Sequence, residues 1–495
     1  MTADNRAPLG DVDAAAMRRH LHAAAEWVAD YREGIGARRI VPDVRPGDIT
    51  TQLAPSMPTH GEALDTILAD FDTHVMRGVV HWGHPAFLGY FGSTSNGPAL
   101  VAEILAAALN VSAMTWKTSP AATELETLVL AWIRDLTGLP REMFGVVYDT
   151  ASVAVLHALA AAREAASPGL RADGLAGRGD VPRMRVYAST QAHSSVDKAM
   201  VMLGLGEANV VRIPCDDMYR MDVRALRQAM EDDVAHGYRA MAVVATVGTT
   251  SSGSVDPVAA IAEVARAHRA WLHVDAAYGG AMGALPEARW VTSGFEAADS
   301  IVVNPHKWLF VPLDFSALYV RNPAALRDVF ANTAEYLRGD AYVADATDTV
   351  VNYMDYGIQL GRRFRALKAW MVLRAFGQEG MVSRIREHCR LASLFASWVE
   401  EDPSFELVAP VVMAVVCFRY FTSGMEPQAI DAFNERVVER VNASGDAYLT
   451  HTRLGGRTCM RVGIGNIDTT EAHVAHVWSC VRREVANLSA QSLRD

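Results

Sequence analysis

The stretch MAVVATVGTTSSGSVDPVAAIAEVARAHRAWLHVDAA, residues 241–277, decides the fold. Its two apolar runs, MAVVATVG (241–248) and AWLHVDAA (270–277), have strand length and no polar alternation. Such strands are buried on both faces, the mark of a parallel sheet. Between them, PVAAIAEVARAH (257–268) has helical spacing and the length of a crossover. The alternation extends outward. MRVYAS (184–189) precedes helix SSVDKAMVML, NVVRIP (209–214) precedes helix MDVRALRQAMEDDVAHG, and strands SIVVN (300–304) and SALYV (316–320) follow. The pattern predicts an α/β fold with a mostly parallel sheet covered by helices on both faces. Ligands of such sheets bind beyond the carboxyl ends of the strands.

Three regions follow. Residues 1–90 read as a helical N-terminal segment, in which DVDAAAMRRHLHAAAEWVADYREGI and GEALDTILADFDTHVMRGV flank a Pro-rich connector. Residues 91–375 form the large α/β domain. Residues 376–495 read as a small α+β domain, with helices GMVSRIREHCRLASLFASWVEE and QAIDAFNERVVERVNAS around strands VVMAVVCFRYF and TCMRVGIG. The junction falls inside the helical run that begins GRRFRALKAWMVLRAF, so no loose linker separates the last two.

A net charge of -11 argues against nucleic acid or an anionic membrane as the main partner. Five cysteines lie without paired spacing, which implies neither a zinc site nor a disulfide framework and fits a reducing, cytoplasmic setting. ALVAEILAAALNVSAM (99–114) is short, carries Glu103 and cannot span a bilayer. The N-terminus has no apolar core of a signal peptide.

Of 46 basic residues only Lys117, Lys198, Lys307 and Lys368 are lysine. Where positive charge alone is needed, this chain uses arginine, so Lys307, in IVVNPHKWLF (301–310), invites a role arginine cannot fill. Asp275 ends an apolar strand, where a charge is costly unless paired. A lysine and an aspartate on neighbouring strand ends suit a pyridoxal 5'-phosphate site. The amine forms an imine with an aldehyde, and the carboxylate keeps a pyridine nitrogen protonated. VVYDTASVAVLHALAAARE (146–164) offers a helix start, with the hydroxyls of Thr150 and Ser152, to a phosphate. Asp149 is awkward there, since a carboxylate repels that anion. Thr150 is equally an ordinary helix cap. His193 lies between a strand and a helix, a position that is also common for a structural histidine. Thr249 and Thr250 follow another strand end, where polar residues commonly build loops.

Taken in order, HVDAAYGG, NPHKW, QAHSSVDKA, TSPAATELE and LGRRFRALK resemble the group II pyridoxal-phosphate decarboxylases, most closely the aromatic L-amino-acid decarboxylases. The resemblance runs from about residue 40 to about 483. It implies fold type I, the aspartate-aminotransferase architecture with a seven-stranded sheet, and a homodimer with active sites at the subunit interface. Lys307 is then the cofactor-linked lysine, Asp275 the partner of the pyridine nitrogen, Ala277 a contact on one ring face and His193 the cover of the other. Thr150, Ala151, Ser152, Asn304 and His306 surround the phosphate, and Thr250 lies near the ring. Leu360 and Gly361 reach the site from the partner subunit, and Arg461 matches an arginine near the site. FANTAEYLRGDAYVADATDTV (330–350) matches a catalytic loop in which Tyr336 protonates the substrate α-carbon; Tyr342 and Tyr353 are the alternatives. Related aldehyde synthases carry Phe at that place, so Tyr336 implies plain decarboxylation.

By the same resemblance Trp82, Tyr90, Phe91, Gly92 and Ser93 line the substrate pocket, joined by Ser112 and Met114 from the other subunit. For Tyr90 ordinary core is the first reading and a pocket position the second. Gly92, with residues at 112 and 114 less bulky than those of animal relatives, and Gly361 imply a pocket wide enough for an indole or catechol. The expected partner is a small amino acid; Lys117 reads as solvated or as a substrate contact. YDTASVA departs from the family's Gly-Ser-Ala-Ser-Glu-like run at Asp149 and Val153, which leaves the phosphate contacts open. The competing activities are a decarboxylating aldehyde synthase and another fold-type I enzyme such as an aminotransferase. Each has its own signature, oxygen uptake with peroxide for the first and keto-acid dependence for the second.

Overall fold

The computed structural model describes residues 11–92, 94–331 and 350–492. Ser93, Tyr336 and Tyr342 lie outside the described residues. The first long helix, Ala14–Gly34, starts where Asp13 accepts the Ala16 N–H at 2.8 Å. The strands of the central sheet are β1 (Phe144–Tyr148), β2 (Met184–Ser189), β3 (Val210–Ile213), β4 (Arg239–Thr246), β5 (Trp271–Asp275), β6 (Ser300–Val303) and β7 (Ser316–Val320). They stand in the order β1-β7-β6-β5-β4-β2-β3.

Strands β3, β2, β4, β5 and β6 pair in parallel, and β7 runs against both β6 and β1. The sheet is thus mixed, with one reversed strand. The cause is local: β6 and β7 are joined by a one-turn helix, Pro305–Trp308, and a short return. A parallel connection needs a full crossover. β1, read from the sequence only as an apolar run before a helix, pairs along its whole length with β7.

A second, wholly antiparallel sheet holds β8 (Phe405–Leu407), β9 (Val415–Tyr420), β10 (Thr450–Leu454) and β11 (Arg457–Gly463), in the order β10-β11-β9-β8. The helix Ala366–Glu401 leads into it from the central sheet and is broken at Gly377, whose φ of 63° a side chain would resist. One continuous hydrophobic core joins both sheets to the segment around Phe87.

That segment ties the N-terminal region to the small sheet. Leu88 N–H donates to the Tyr448 carbonyl at 2.8 Å, and Gly463 N–H donates to the Leu88 carbonyl at 2.8 Å. Position 463 must be glycine, because a Cβ there would sit 2.5 Å from the Tyr90 carbonyl oxygen. The zip delivers Tyr90 and Phe91 to the carboxyl edge of the large sheet. Among the described residues no helix is long and apolar enough to cross a membrane.

Candidate active site

The ends of β4, β5 and β6 converge on a cavity of about 190 Å3. Asp275, the last residue of β5, is buried on its wall, and its Oδ1 accepts the Ala277 N–H at 3.1 Å. Ala277 lines the same cavity. Lys307 enters from the one-turn helix after β6, its Nζ 4.9 Å from the Phe91 ring centroid. Burial lowers its pKa, the Arg461 guanidinium lowers it further, and Asp275 opposes both. A lysine held this way is readier to act as a neutral nucleophile.

His193 lines the cavity between β2 and the helix Ser195–Met202. Its Nδ1 accepts the Ser195 N–H at 3.1 Å, so a neutral ring carries its proton on Nε2. Surrounding protein lowers its pKa, Lys307 adds to this, and Asp275 pulls it back. His306 is pinned similarly: Nδ1 accepts the Phe315 N–H at 3.0 Å, and Nε2 faces the Asn304 carboxamide at 3.2 Å. Asn304 is fixed by the Ser316 hydroxyl, which donates to Oδ1 at 2.6 Å.

Thr150, Ala151 and Ser152 bring the start of the helix Ala151–Ala166 to the cavity. Asp149 does not point its charge freely at that cradle: Oδ1 accepts the Thr150 N–H at 2.7 Å, and the Gln359 amide donates to Oδ2 at 3.4 Å. It does occupy one N–H that a phosphate would otherwise use. The two threonines after β4 divide their work. Thr249 is buried in a turn, bonded to the Ser252 hydroxyl at 2.8 Å, while Thr250 lines the cavity.

A wider chamber of about 710 Å3 adjoins, sharing Phe91, His193, Thr250, His306 and Lys307 with the first. Trp82 and Tyr90 stack along it, centroids 5.3 Å apart and planes within 8°. Arg461 also lines it; its Nη1 donates to the Tyr90 carbonyl at 2.7 Å and its Nε to the Ser251 carbonyl at 3.1 Å. Gly92 lines neither cavity. A Cβ there would meet the Gly465 backbone at 3.2 Å, so its smallness serves chain packing rather than pocket width.

Ser112, Met114, Leu360 and Gly361 line neither cavity of their own chain. They sit together instead. The Arg362 N–H donates to Ser112 Oγ at 3.2 Å, and the Ala113 N–H donates to the Arg362 carbonyl at 2.7 Å. Lys117 is exposed and lines neither cavity. Tyr353 is buried, with its hydroxyl bonded to Thr127 at 2.9 Å, which removes it as a proton donor to the cavity. Thr246, Gly248, Tyr278 and Tyr448 line the cavities although sequence reasoning passed over them. Within their apolar or turn segments they carry no signal of their own.

The residues present fit pyridoxal phosphate. An amine, a carboxylate and a helix start share one small cavity. Among the described residues, Thr246 Oγ1 and Arg461 Nη2 are buried without a hydrogen-bond partner, as polar atoms waiting for a ligand are. The pyridoxal-dependent decarboxylase conserved domain matches residues 46–421. The chain belongs to the pyridoxal-dependent decarboxylases. Across 97% of its length this decarboxylase is 37% identical to phenylacetaldehyde synthase of Arabidopsis thaliana, 98% of which is covered. It is also 37% identical to tryptophan decarboxylase 1 of Oryza sativa subsp. japonica, with 95% and 94% of the two chains covered. The crystal structure of Oryza sativa TDC with PLP and tryptamine superposes with a TM-score of 0.92 at 36% identity, covering 98% of this chain and 99% of that one. The cofactor is pyridoxal phosphate and the fold is type I, with the mixed sheet described above.

Proposed function

We propose that this decarboxylase converts an aromatic L-amino acid, of tryptophan or DOPA/tyrosine type, to the arylalkylamine and carbon dioxide. The observation that carries this is the junction of the Lys307–Asp275 cavity with a chamber walled by stacked Trp82 and Tyr90. Aromatic walls favour a flat aryl side chain. Bound pyridoxal phosphate supplies an electron sink for the bond that releases the carboxylate.

The chain's own residues divide the remaining work. With pyridoxal phosphate bound, Lys307 would hold its aldehyde through the side-chain amine. Asp275 holds a proton at the pyridine nitrogen and fixes the ring's orientation. His193 and Ala277 flank the ring, while Thr150, Ala151, Ser152, Asn304 and His306 hold the phosphate, with Thr250 near the ring. Phe91, Tyr278 and Trp308 stack in series behind Lys307, with centroid spacings of 4.0 and 4.7 Å, and keep water from that wall. Tyr336 delivers the proton to the substrate α-carbon.

The active unit in this reading is a cytoplasmic homodimer. On the helix Gly97–Leu109, Val101, Ile104, Leu105 and Leu109 are exposed at one-face helical spacing. A Cβ at Gly361 would meet nothing within 4 Å, so its own chain does not demand glycine there. Both facts fit a partner subunit that receives Ser112, Met114, Leu360 and Gly361 into its site. The domain boundaries are placed near residues 90 and 375.

A second reading, the oxidative aldehyde synthase, is favoured by the 37% identity to phenylacetaldehyde synthase. A panel of aromatic amino acids assayed together for amine and peroxide separates the two. Amine without peroxide is expected; peroxide and ammonia matching the carbon dioxide would replace the first reading with the second.

A further inference from the structure

Thr246 is the last residue of β4, and its Cα is paired in parallel register with that of Asp275 on β5. Side chains at paired positions of parallel strands point to the same side of the sheet. Both residues line the small cavity. The residue is 4% exposed, and its hydroxyl has no hydrogen-bond partner among the described residues.

Its backbone, by contrast, is fully engaged. The Thr246 N–H donates to Asp256 Oδ2 at 2.8 Å, and its carbonyl accepts the Asp256 N–H at 3.0 Å. The strand end is therefore held in place without the hydroxyl. A valine would fill the same volume, suit the strand equally and leave no buried polar atom unpaired. A buried hydroxyl left unpaired destabilises the empty protein, and such an atom beside a ligand cavity calls for a partner that arrives with the ligand.

We propose that Thr246 is a cofactor-binding residue, its hydroxyl kept unpaired within the protein so that it hydrogen-bonds the pyridine ring system held beside Asp275. The inference rests on the Lys307–Asp275 cavity being the cofactor site. Borohydride reduction of the holoenzyme followed by peptide mapping checks that site independently: the label lands on Lys307, or the site itself is wrong.

The test of Thr246 compares apoprotein and holoenzyme. In Thr246→Val the apoprotein melts on the order of one degree higher, because an unpaired buried group is gone. Pyridoxal phosphate then binds roughly tenfold more weakly, read by titrating the apoprotein and following the cofactor's visible absorbance. Thr246→Ser restores the affinity. Thr246→Ala, which adds no new methyl to the cavity wall, shows the same loss of affinity. Unchanged affinity in both Val and Ala variants overturns the proposal. So does a lower apoprotein melting temperature for Thr246→Val with affinity intact, since the hydroxyl would then be satisfied inside the protein.

Discussion

In the proposed site Lys307 and Asp275 bind the cofactor, while Tyr336 chooses the reaction. Asp275→Asn keeps the shape of the cavity wall but removes the charge proposed to hold a proton on the ring nitrogen. Its kcat falls by roughly 10²–10³, while the cofactor stays attached to Lys307; absorbance and turnover measured together check this. Tyr336→Phe acts on the proton alone, so amine output falls and aldehyde with peroxide rises. Unaltered amine output would remove Tyr336 as the donor. Asp275 was legible in the sequence because a charge at the end of an apolar strand is expensive, and Lys307 because lysine is rare in a chain that uses arginine for positive charge. Thr246 was not, since a threonine in a strand is an ordinary β-former. Gly92 was legible only as a small residue, and its neighbours at Gly465 show that it makes room for backbone rather than for an indole.

At the scale of elements, the site depends on two junctions. The first is Gly463 against Tyr90. Gly463→Ala would drive a methyl into the Tyr90 carbonyl, move the Trp82–Tyr90 stack and raise KM several-fold with cofactor affinity unchanged. Steady-state kinetics beside a cofactor titration reads this split. The second is the buried pair of Arg362 and Glu126, with Nη2 2.6 Å from Oε1. Arg362 also donates to the carbonyls of Ala113 and Val147 at 3.0 and 2.9 Å, and the Val147 N–H donates to Glu126 at 3.1 Å. One ion pair thus clamps β1, the Ser112–Met114 segment and the Leu360–Gly361 segment together. Arg362→Met leaves Glu126 buried and unpaired and lowers stability by about 3–5 kcal/mol in denaturant unfolding. The parallel core strands were legible from their continuous apolar runs. The reversal of β7 was not, because direction is set by the length of the connection, not by the strand's own residues. The clamp joins residues far apart in sequence, which no local pattern reveals.

At the scale of the whole molecule, buried imidazoles set the acid limit of stability. Burial lowers the pKa of His157 to about 3 and those of His273 and His388 to about 4. The unfolded chain protonates them below about pH 6.5, whereas the folded chain keeps them neutral. Below that pH the unfolded state binds more protons, so stability falls as pH drops towards 4, by about 2 kcal/mol per histidine between pH 7 and 5. Asp256, whose pKa burial raises to about 6, takes up its proton in the folded state first and offsets part of this loss. A lower urea midpoint at pH 5 than at pH 7 is expected; an equal or higher one would contradict the sign. The proposed delivery of Ser112, Met114, Leu360 and Gly361 to a partner's site rests on resemblance, because spacing along one chain carries no trace of a second. The most direct measurement is made on holoenzyme with a panel of aromatic L-amino acids, following carbon dioxide, amine and oxygen in one vessel. Carbon dioxide and amine should appear in equal amounts with no oxygen uptake, and Lys307→Ala should abolish both. Release of carbon dioxide from none of the panel, or release matched by oxygen uptake and peroxide in place of amine, would contradict the assignment.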